Sequence, residues 1–192
     1  NLQYHFGPVG FEYESGRISL KQAFAIHADQ LRPKSRGSVK LSSANPEDSP
    51  VLNFNYFNDP GDLQELCEGV YKMRDLVAQR GFDGLRGKEL EPGSDVKSFD
   101  EVKAWVRKAT TTDFHPCGTC RMGMDSEAVV DNEFCVRGVE GLRVVDASVF
   151  PSIISANLNA PTQMIAARAA DYILRKAILK PEYQRYAFDS QR

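Results

Sequence analysis

The sequence predicts an α+β fold in which an antiparallel sheet has helices packed on one face. Apolar and polar residues alternate over residues 1–57, and stretches rich in Pro, Gly, Asn and Asp interrupt the alternation. Apolar positions then recur at helical spacing after Asp59 and again after Ser98. The 192 residues include 42% hydrophobic and 26% charged residues, a composition typical of a folded globular protein.

Four strands are predicted in the first part of the chain, at Leu2–Phe6, Ala23–Ala28, Ser38–Leu41 and Val51–Phe54. Turn-forming segments separate them, because Pro and Gly interrupt a ladder and Asn, Asp and Ser bond to the nearby backbone. We therefore expect these strands to pair antiparallel.

Two helices are predicted next. Asp59 can cap a helix that begins at Pro60 and runs for about 18 residues with one apolar face. Ser98 and Glu101 have the spacing of a capping box at the start of the second helix. Cys67 falls on the apolar face of the first helix, where we expect it to serve as core packing.

The remaining elements are shorter. Glycines lie among short apolar runs after Thr110, and strands are expected at Phe134–Arg137 and Leu142–Asp146. An irregular link then leads to a last helix that starts at Pro161. The polar tail, residues 181–192, is expected to be loose.

Charge and hydropathy argue against several classes of protein. The formal charge is −2, from 24 Lys and Arg against 26 Asp and Glu, and no basic run suggests a nucleic-acid partner. The apolar stretches are far shorter than the roughly 20 residues that span a bilayer. With no leader pattern and with four unevenly spaced cysteines, a cytoplasmic location is expected, and peripheral attachment to the inner membrane stays open.

The chain has three histidines. His5 and His27 lie in predicted strands, where a role on the sheet face is expected. His115 is the candidate acid or base, because Pro116 restricts its backbone and its imidazole titrates near neutral pH.

Cys117 and Cys120 have the spacing of a metal or redox pair. Cys135 is the only further cysteine downstream, at a spacing that is unusual for zinc, and no helix pattern follows as in a thioredoxin-type motif. Packing against the sheet is therefore the favoured interpretation, and no metal site is predicted.

Amides and a hydroxyl lie where the last helix begins, at Asn157, Asn159 and Thr162. Asn159 is the expected N-cap. Alternatively, the helix start faces an anion or an electron-rich ring, which its positive dipole end would favour. Asp146 and Ala147 lie at the end of a predicted strand, at an edge position typical of ligand sites.

Several stretches, in one order, resemble the C-terminal signature of the glucose-methanol-choline (GMC) flavin oxidoreductases. They are Phe114–Gly123, Val129–Asp131, Val136–Ser148 and Asn157–Ile165. Further likeness at Gln3–Phe6, Ser35–Gly37 and Phe54–Tyr56 extends the resemblance over about residues 1–180.

The resemblance implies a domain organisation and a set of site residues. Residues 1–113 would form the substrate-binding domain, and 114–180 the active-site segment with the returning C-terminal part of the FAD-binding domain. His115 would be the catalytic base and Asn159 its partner across the substrate oxygen, with Phe114 contacting substrate. The implied flavin contacts are Asp146, Ala147, Asn157 and Thr162.

The resemblance also implies an FAD enzyme that moves a hydride from an alcohol carbon to the flavin. Choline is the favoured substrate, and other primary alcohols stay open, as does a stand-alone binding domain without catalysis. No G-x-G-x-x-G fingerprint for FAD is present, so the chain is interpreted as a part of a longer protein whose N-terminal FAD-binding half is its partner. Alone it is expected to bind FAD weakly or not at all and to be inactive.

Two further points follow from the comparison with the family pattern. Ser155 and Ala156 precede Asn157, where members of the family often have Gly, so the geometry of this loop is not implied by the resemblance. The electron acceptor is not indicated by any motif.

Overall fold

The computed structural model describes residues 1–14, 17–177, 179–180 and 182–183. Apart from Glu182 and Tyr183, the predicted loose tail lies outside the described residues. The strands are β1 (Leu2–Gly7), β2 (Gly10–Glu14), β3 (Arg17–Lys21), β4 (Ala25–Gln30), β5 (Ser38–Lys40) and β6 (Val51–Asn53). The helices are α1 (Pro60–Val77), α2 (Phe99–Ala109) and α3 (Asn159–Ile173).

The α+β class with antiparallel strands is confirmed. The strands pair in separate ladders rather than in one sheet. Among the described residues β1 pairs with β4, β2 with β3 and β5 with β6, each as a two-stranded ladder. Strands β5 and β6 have three residues each, all exposed, so neither buries a face that would favour a larger sheet. Strand β4 begins at Ala25, two residues later than predicted, and the β2–β3 pair was not predicted.

The predicted first helix is confirmed in position and length. The Asp59 side chain accepts a hydrogen bond from the backbone N–H of Gly61 at 2.9 Å, which caps α1. The apolar face of α1 packs on that of α2 and forms the core of the first part of the chain. The buried members of this core are Leu63, Cys67, Val70, Val102 and Val106. Cys67 is fully buried, which confirms its predicted packing role.

A glycine lets α1 lie close to the β1–β4 ladder. A Cβ atom at Gly69 would be 3.0 Å from Leu2 Cδ1 and 3.4 Å from Ala28 Cβ. A larger residue at position 69 would push the helix away from the ladder.

A buried carboxylate connects α1 to the chain before it. Asp62 is only 3% exposed, and it accepts hydrogen bonds from the Lys34 and Ser35 backbone and from the Gln30 side chain. Burial acts to raise the pKa of Asp62, but these hydrogen bonds outweigh it and hold the pKa below its ordinary value.

The predicted capping box of α2 is present. Glu101 N–H donates to Ser98 Oγ, while the Glu101 carboxylate accepts from the Ser98 N–H at 2.8 Å. Ser98→Ala is expected to lower the free energy of unfolding by about 1 kcal/mol, because an N–H at the helix start loses its acceptor. Urea denaturation of this chain measures the change. Ser98→Asp keeps an acceptor and should lose much less; equal losses for both variants would contradict the capping explanation.

The described residues group into two compact units, and the chain passes between them more than once. The first unit comprises residues 1–119 and 152–157, and the second comprises 120–151 and the residues from 158 onward. The core of the second unit is formed by Val130, Phe134, Val149 and Ala169.

Two predictions for the second unit were wrong in detail. Instead of strands at 134–137 and 142–146, only isolated bridges form, such as Cys135 with Arg143. The positive φ angles of Gly138 and Gly141 turn the chain and interrupt the ladder. Helix α3 begins at Asn159 rather than Pro161. Leu158 is already helical and accepts from the Thr162 N–H at 3.0 Å, so Asn159 lies inside the helix and is not its N-cap.

No helix among the described residues combines the length and the apolar character that a bilayer crossing requires.

Candidate functional site

The first unit contains a cavity of about 390 Å³ beside the predicted catalytic histidine. Strand β4 lies along the cavity with Ile26 to Gln30, α1 contributes Leu66, Val70 and Met73, and α2 contributes Trp105. Residues 110–113, 115 and 116, which follow α2, also line the cavity, as do Pro33, Ser35, Phe54, Tyr56, Phe57 and Ile153. His115 is therefore placed at a cavity built mainly from the helix pair and one strand.

His115 makes a direct contact with a second predicted site residue. The Asn157 amide Nδ2 lies 3.0 Å from His115 Nε2, and the His115 side chain is half-buried. An amide N–H donates, so a neutral imidazole would accept this hydrogen bond with its Nε2 lone pair. The same lone pair can accept a proton from an alcohol when the alcohol oxygen takes the place of the Asn157 amide.

Phe114, the predicted substrate contact, points to the surface and does not line the cavity. Its side chain is 83% exposed, and its φ of 59° is unusual for a non-glycine residue. The Phe114 N–H donates to Thr112 Oγ1 at 3.0 Å, a hydrogen bond that supports this turn just before His115. The exposed ring is available to contact a molecule or a further part of the protein.

Several titratable groups surround Asp29, which lines the cavity. His5 of β1 lies opposite His27 of β4, and His5 Nε2 contacts Asp29 Oδ2 at 2.8 Å. Burial and the neighbouring charge of Asp113 raise the pKa of Asp29 above its ordinary value. All three histidines of the chain act on Asp29 in the opposite direction. Asp29 and Asp113 were not predicted as residues of this cavity, and the one available signal was the position of Asp113, two residues before His115.

The other predicted site residues, the catalytic candidate Asn159 and the cofactor contacts Asp146, Ala147 and Thr162, lie in the second unit. Asp146 accepts a hydrogen bond from the Ser148 N–H at 2.8 Å and caps a short turn that begins at Ala147. At the start of α3, Asn159 Oδ1 accepts from Gln163 Nε2 at 3.0 Å, and the Thr162 hydroxyl donates to the Leu158 carbonyl at 2.7 Å.

The start of α3 fits an electron-rich partner. No side chain caps it, and its first turn contains no acidic residue. The positive end of the helix dipole is thus not compensated by a carboxylate of its own helix. An aromatic ring that gains negative charge is a suitable group for this position.

The surroundings of Cys117 do not favour a reactive thiolate. Burial raises its pKa above the ordinary value, with Arg36 acting in the opposite direction. The described part of the chain contains no group of three His, Cys, Asp or Glu side chains placed to hold a metal ion. The zinc interpretation therefore has no ligand set among these residues.

Comparisons with known proteins agree on one family. The family model described as GMC oxidoreductase matches residues 33–166. The oxygen-dependent choline dehydrogenase of Brucella ovis is 44% identical over 181 residues, which is 93% of this chain and 33% of that protein. The enzyme of the same name from Burkholderia thailandensis is 44% identical over 186 residues, 97% of this chain and 33% of that protein. The chain thus spans about a third of the length of the curated relatives it matches.

A solved structure supports the same relationship. Pyridoxine 4-oxidase from Mesorbium loti matches with a TM-score of 0.75 and 29% sequence identity, over 81% of this chain and 30% of that one.

Proposed function

The chain belongs to the GMC oxidoreductase family, and from this premise we propose that it is the C-terminal part of an FAD-dependent enzyme that oxidises an alcohol. The observation that carries the proposal is the 3.0 Å contact between His115 Nε2 and Asn157 Nδ2 at the cavity. It places a proton acceptor and a hydrogen-bond donor next to each other, which is the pair of groups that removal of a hydroxyl proton requires.

In this proposal the substrate hydroxyl displaces the hydrogen bond between the two side chains, which separate to accept its oxygen. Nε2 of His115 then accepts the hydroxyl proton, and Nδ2 of Asn157 donates to the same oxygen. The donor stabilises the negative charge that develops on the oxygen as the proton leaves. Asn159, the partner implied by the family resemblance, is the competing candidate for the donor.

FAD, when bound, supplies the acceptor for the hydride of the alcohol carbon. The uncapped start of α3 fits such a partner, and Asp146, Ala147 and Thr162 are the residues of this chain proposed to hold it. Asn157 has two roles in this scheme: it is a predicted cofactor contact, and its side chain contacts His115. The chain alone is proposed to be inactive, because it contains no G-x-G-x-x-G fingerprint for FAD.

Choline is the proposed substrate, with betaine aldehyde as the product. Support comes from the name of the relatives at 44% identity, oxygen-dependent choline dehydrogenase. Other primary alcohols are the alternative within the same chemistry.

The proposal is tested on the full-length protein that contains this chain. We expect purified protein to show the visible absorption of bound flavin, and anaerobic addition of choline to bleach it. The 192-residue chain, prepared in parallel, should show no flavin absorption. If other alcohols reduce the bound flavin but choline does not, one of those alcohols replaces choline as the proposed substrate. Full-length protein without flavin would overturn the enzyme assignment in favour of a binding domain.

A further inference from the structure

The segment 152–157, which carries Asn157, is attached to the first unit by side chains. Residues 152–156 lie outside every helix and strand, and among the described residues they take part in no hydrogen bond between backbone groups. Arg32 Nε donates to Ser155 Oγ at 2.6 Å, and Asn157 Nδ2 lies 3.0 Å from His115 Nε2. Ile153 is half-buried and lines the cavity. The position of Asn157 therefore depends on side-chain contacts rather than on a backbone ladder.

Arg32 comes from a loop whose backbone is fixed independently of the segment 152–157. The loop follows β4, and the buried Asp62 carboxylate accepts hydrogen bonds from the backbone N–H groups of Lys34 at 2.9 Å and Ser35 at 2.7 Å. The Ser35 hydroxyl in turn accepts from the Asp59 N–H at 3.0 Å, at the start of α1. The Arg32 guanidinium thus extends toward Ser155 from a backbone held by α1.

The hydrogen bond between Arg32 and Ser155 acts on geometry more than on stability. Both residues are exposed, and exposed polar contacts contribute little to the free energy of unfolding. Ser155 lies two residues before Asn157, so a shift of Ser155 also moves the Asn157 amide. A donor to a developing oxyanion loses much of its effect when it is displaced by about 1 Å. Removal of the contact should therefore lower the rate while the protein stays folded.

We propose that Arg32 is a positioning residue for the oxidation of the alcohol: through Ser155 it holds the segment 152–157 so that the Asn157 amide reaches the oxygen on which His115 acts. The inference rests on the proposed function, in which Asn157 is the donor. Arg32 is not among the residues that line the cavity, so we assign it no contact with the substrate. A guanidinium suits this task because it stays charged at any working pH and its Nε–H donates in a fixed direction.

The rate of anaerobic flavin reduction by saturating choline in the full-length protein tests the proposal. In Arg32→Ala and in Ser155→Ala the rate is expected to fall about tenfold, and in the double variant no further than in either single variant. Ser155→Thr retains a hydroxyl acceptor and should stay within about threefold of the unmodified protein. The matched control is Lys34→Ala, which removes an exposed positive charge from the same loop and should leave the rate unchanged. Losses that multiply in the double variant, or an equal loss in Lys34→Ala, would overturn the positioning role.

A chemical probe of His115 separates this inference from the proposed function. Diethyl pyrocarbonate acylates an imidazole nitrogen through its lone pair, and the Asn157 amide lies against Nε2 of His115. In the full-length protein, Arg32→Ala and Ser155→Ala should raise the acylation rate of His115 about threefold or more, as should Asn157→Ala, because Nε2 loses its hydrogen bond. The other two histidines of the chain serve as internal controls and should react at unchanged rates. Mass spectrometry of the peptides measures each rate.

The two possible failures give different results with this probe. An unchanged rate at His115 in Arg32→Ala, together with a raised rate in Asn157→Ala, would overturn the positioning role even where alcohols reduce the flavin. Raised rates in both variants of a protein that oxidises no alcohol would retain the hold of Arg32 on Asn157 and overturn the proposed enzyme function.

Discussion

The His115→Ala variant of the full-length protein is expected to oxidise choline with a kcat about 100- to 10,000-fold below that of the unmodified protein, the range that a positioned general base contributes. The imidazole Nε2 is the one basic atom in the contact with Asn157, and alanine removes it. The rate of anaerobic flavin reduction after mixing with choline measures the effect, and the flavin spectrum verifies that the cofactor is retained.

His115→Gln separates basicity from packing. Glutamine fills similar space and can hydrogen-bond Asn157, but it accepts no proton at neutral pH. A rate as low as that of His115→Ala would therefore identify the basic nitrogen as the essential feature. Flavin-loaded His115→Ala protein with kcat near that of the unmodified protein would exclude His115 as the base.

The two asparagines can be ranked by the same measurement. Asn157→Ala is expected to reduce the rate more than Asn159→Ala, because Asn157 contacts Nε2 whereas Asn159 accepts a hydrogen bond from Gln163 within α3. Loss of one donor to a developing oxyanion costs about 100-fold or more. The reverse order would assign the donor role to Asn159, as the family resemblance implies.

Asp62→Ala is expected to lower the free energy of unfolding of the chain by about 3 kcal/mol, since it leaves several partly buried donors without their acceptor. The donors are the Ser35 N–H at 2.7 Å, the Lys34 N–H at 2.9 Å and the Gln30 amide at 3.1 Å. Urea denaturation followed by the emission of Trp105 measures the loss. Asp75→Ala, an exposed change on the same helix, should alter stability by no more than about 0.5 kcal/mol. Similar effects of the two substitutions would show that the Asp62 hydrogen bonds contribute little.

The same carboxylate gives the stability a defined acid dependence. Its pKa is lower in the folded chain than its ordinary value of 3.8, so the folded state binds the proton less tightly than the unfolded state. The resulting stability is fully present above that ordinary value and is lost as the pH falls through the folded pKa. Asp62→Asn should flatten this acid limb. An unchanged acid limb in the variant would assign it to other carboxylates.

Helices α1 and α2 could be predicted because their signals are local. Asp59 and Pro60 fix where α1 begins, and Ser98 with Glu101 fixes the start of α2, through hydrogen bonds that span three residues or fewer. Such bonds depend on neighbours in the sequence, so the residue types alone indicate them. The β2–β3 pair was overlooked although the alternation of Phe11 and Tyr13 with glutamates carries the usual strand signal.

Elements near glycines were harder to predict. Apolar runs at 134–137 and 142–146 indicate strands, but the backbone at Gly138 and Gly141 turns in a way that allows only single bridges. The start of α3 shifted by two residues because Leu158 adopts a helical conformation that no local motif requires. Boundaries of this kind depend on the packing of the surrounding chain.

The sequence by itself determined the α+β class, the two capped helices and the family, and it singled out His115 as the candidate base. Each follows from adjacent residues, through capping, periodicity or motif order. Only the tertiary structure decided which groups lie near His115: Asn157, 42 positions away in the chain, contacts its Nε2, and Asp29 of β4 lines the same cavity. Their proximity to His115 depends on how β4, α1 and α2 pack, and long-range packing depends on many residues at once, so no short pattern encodes it.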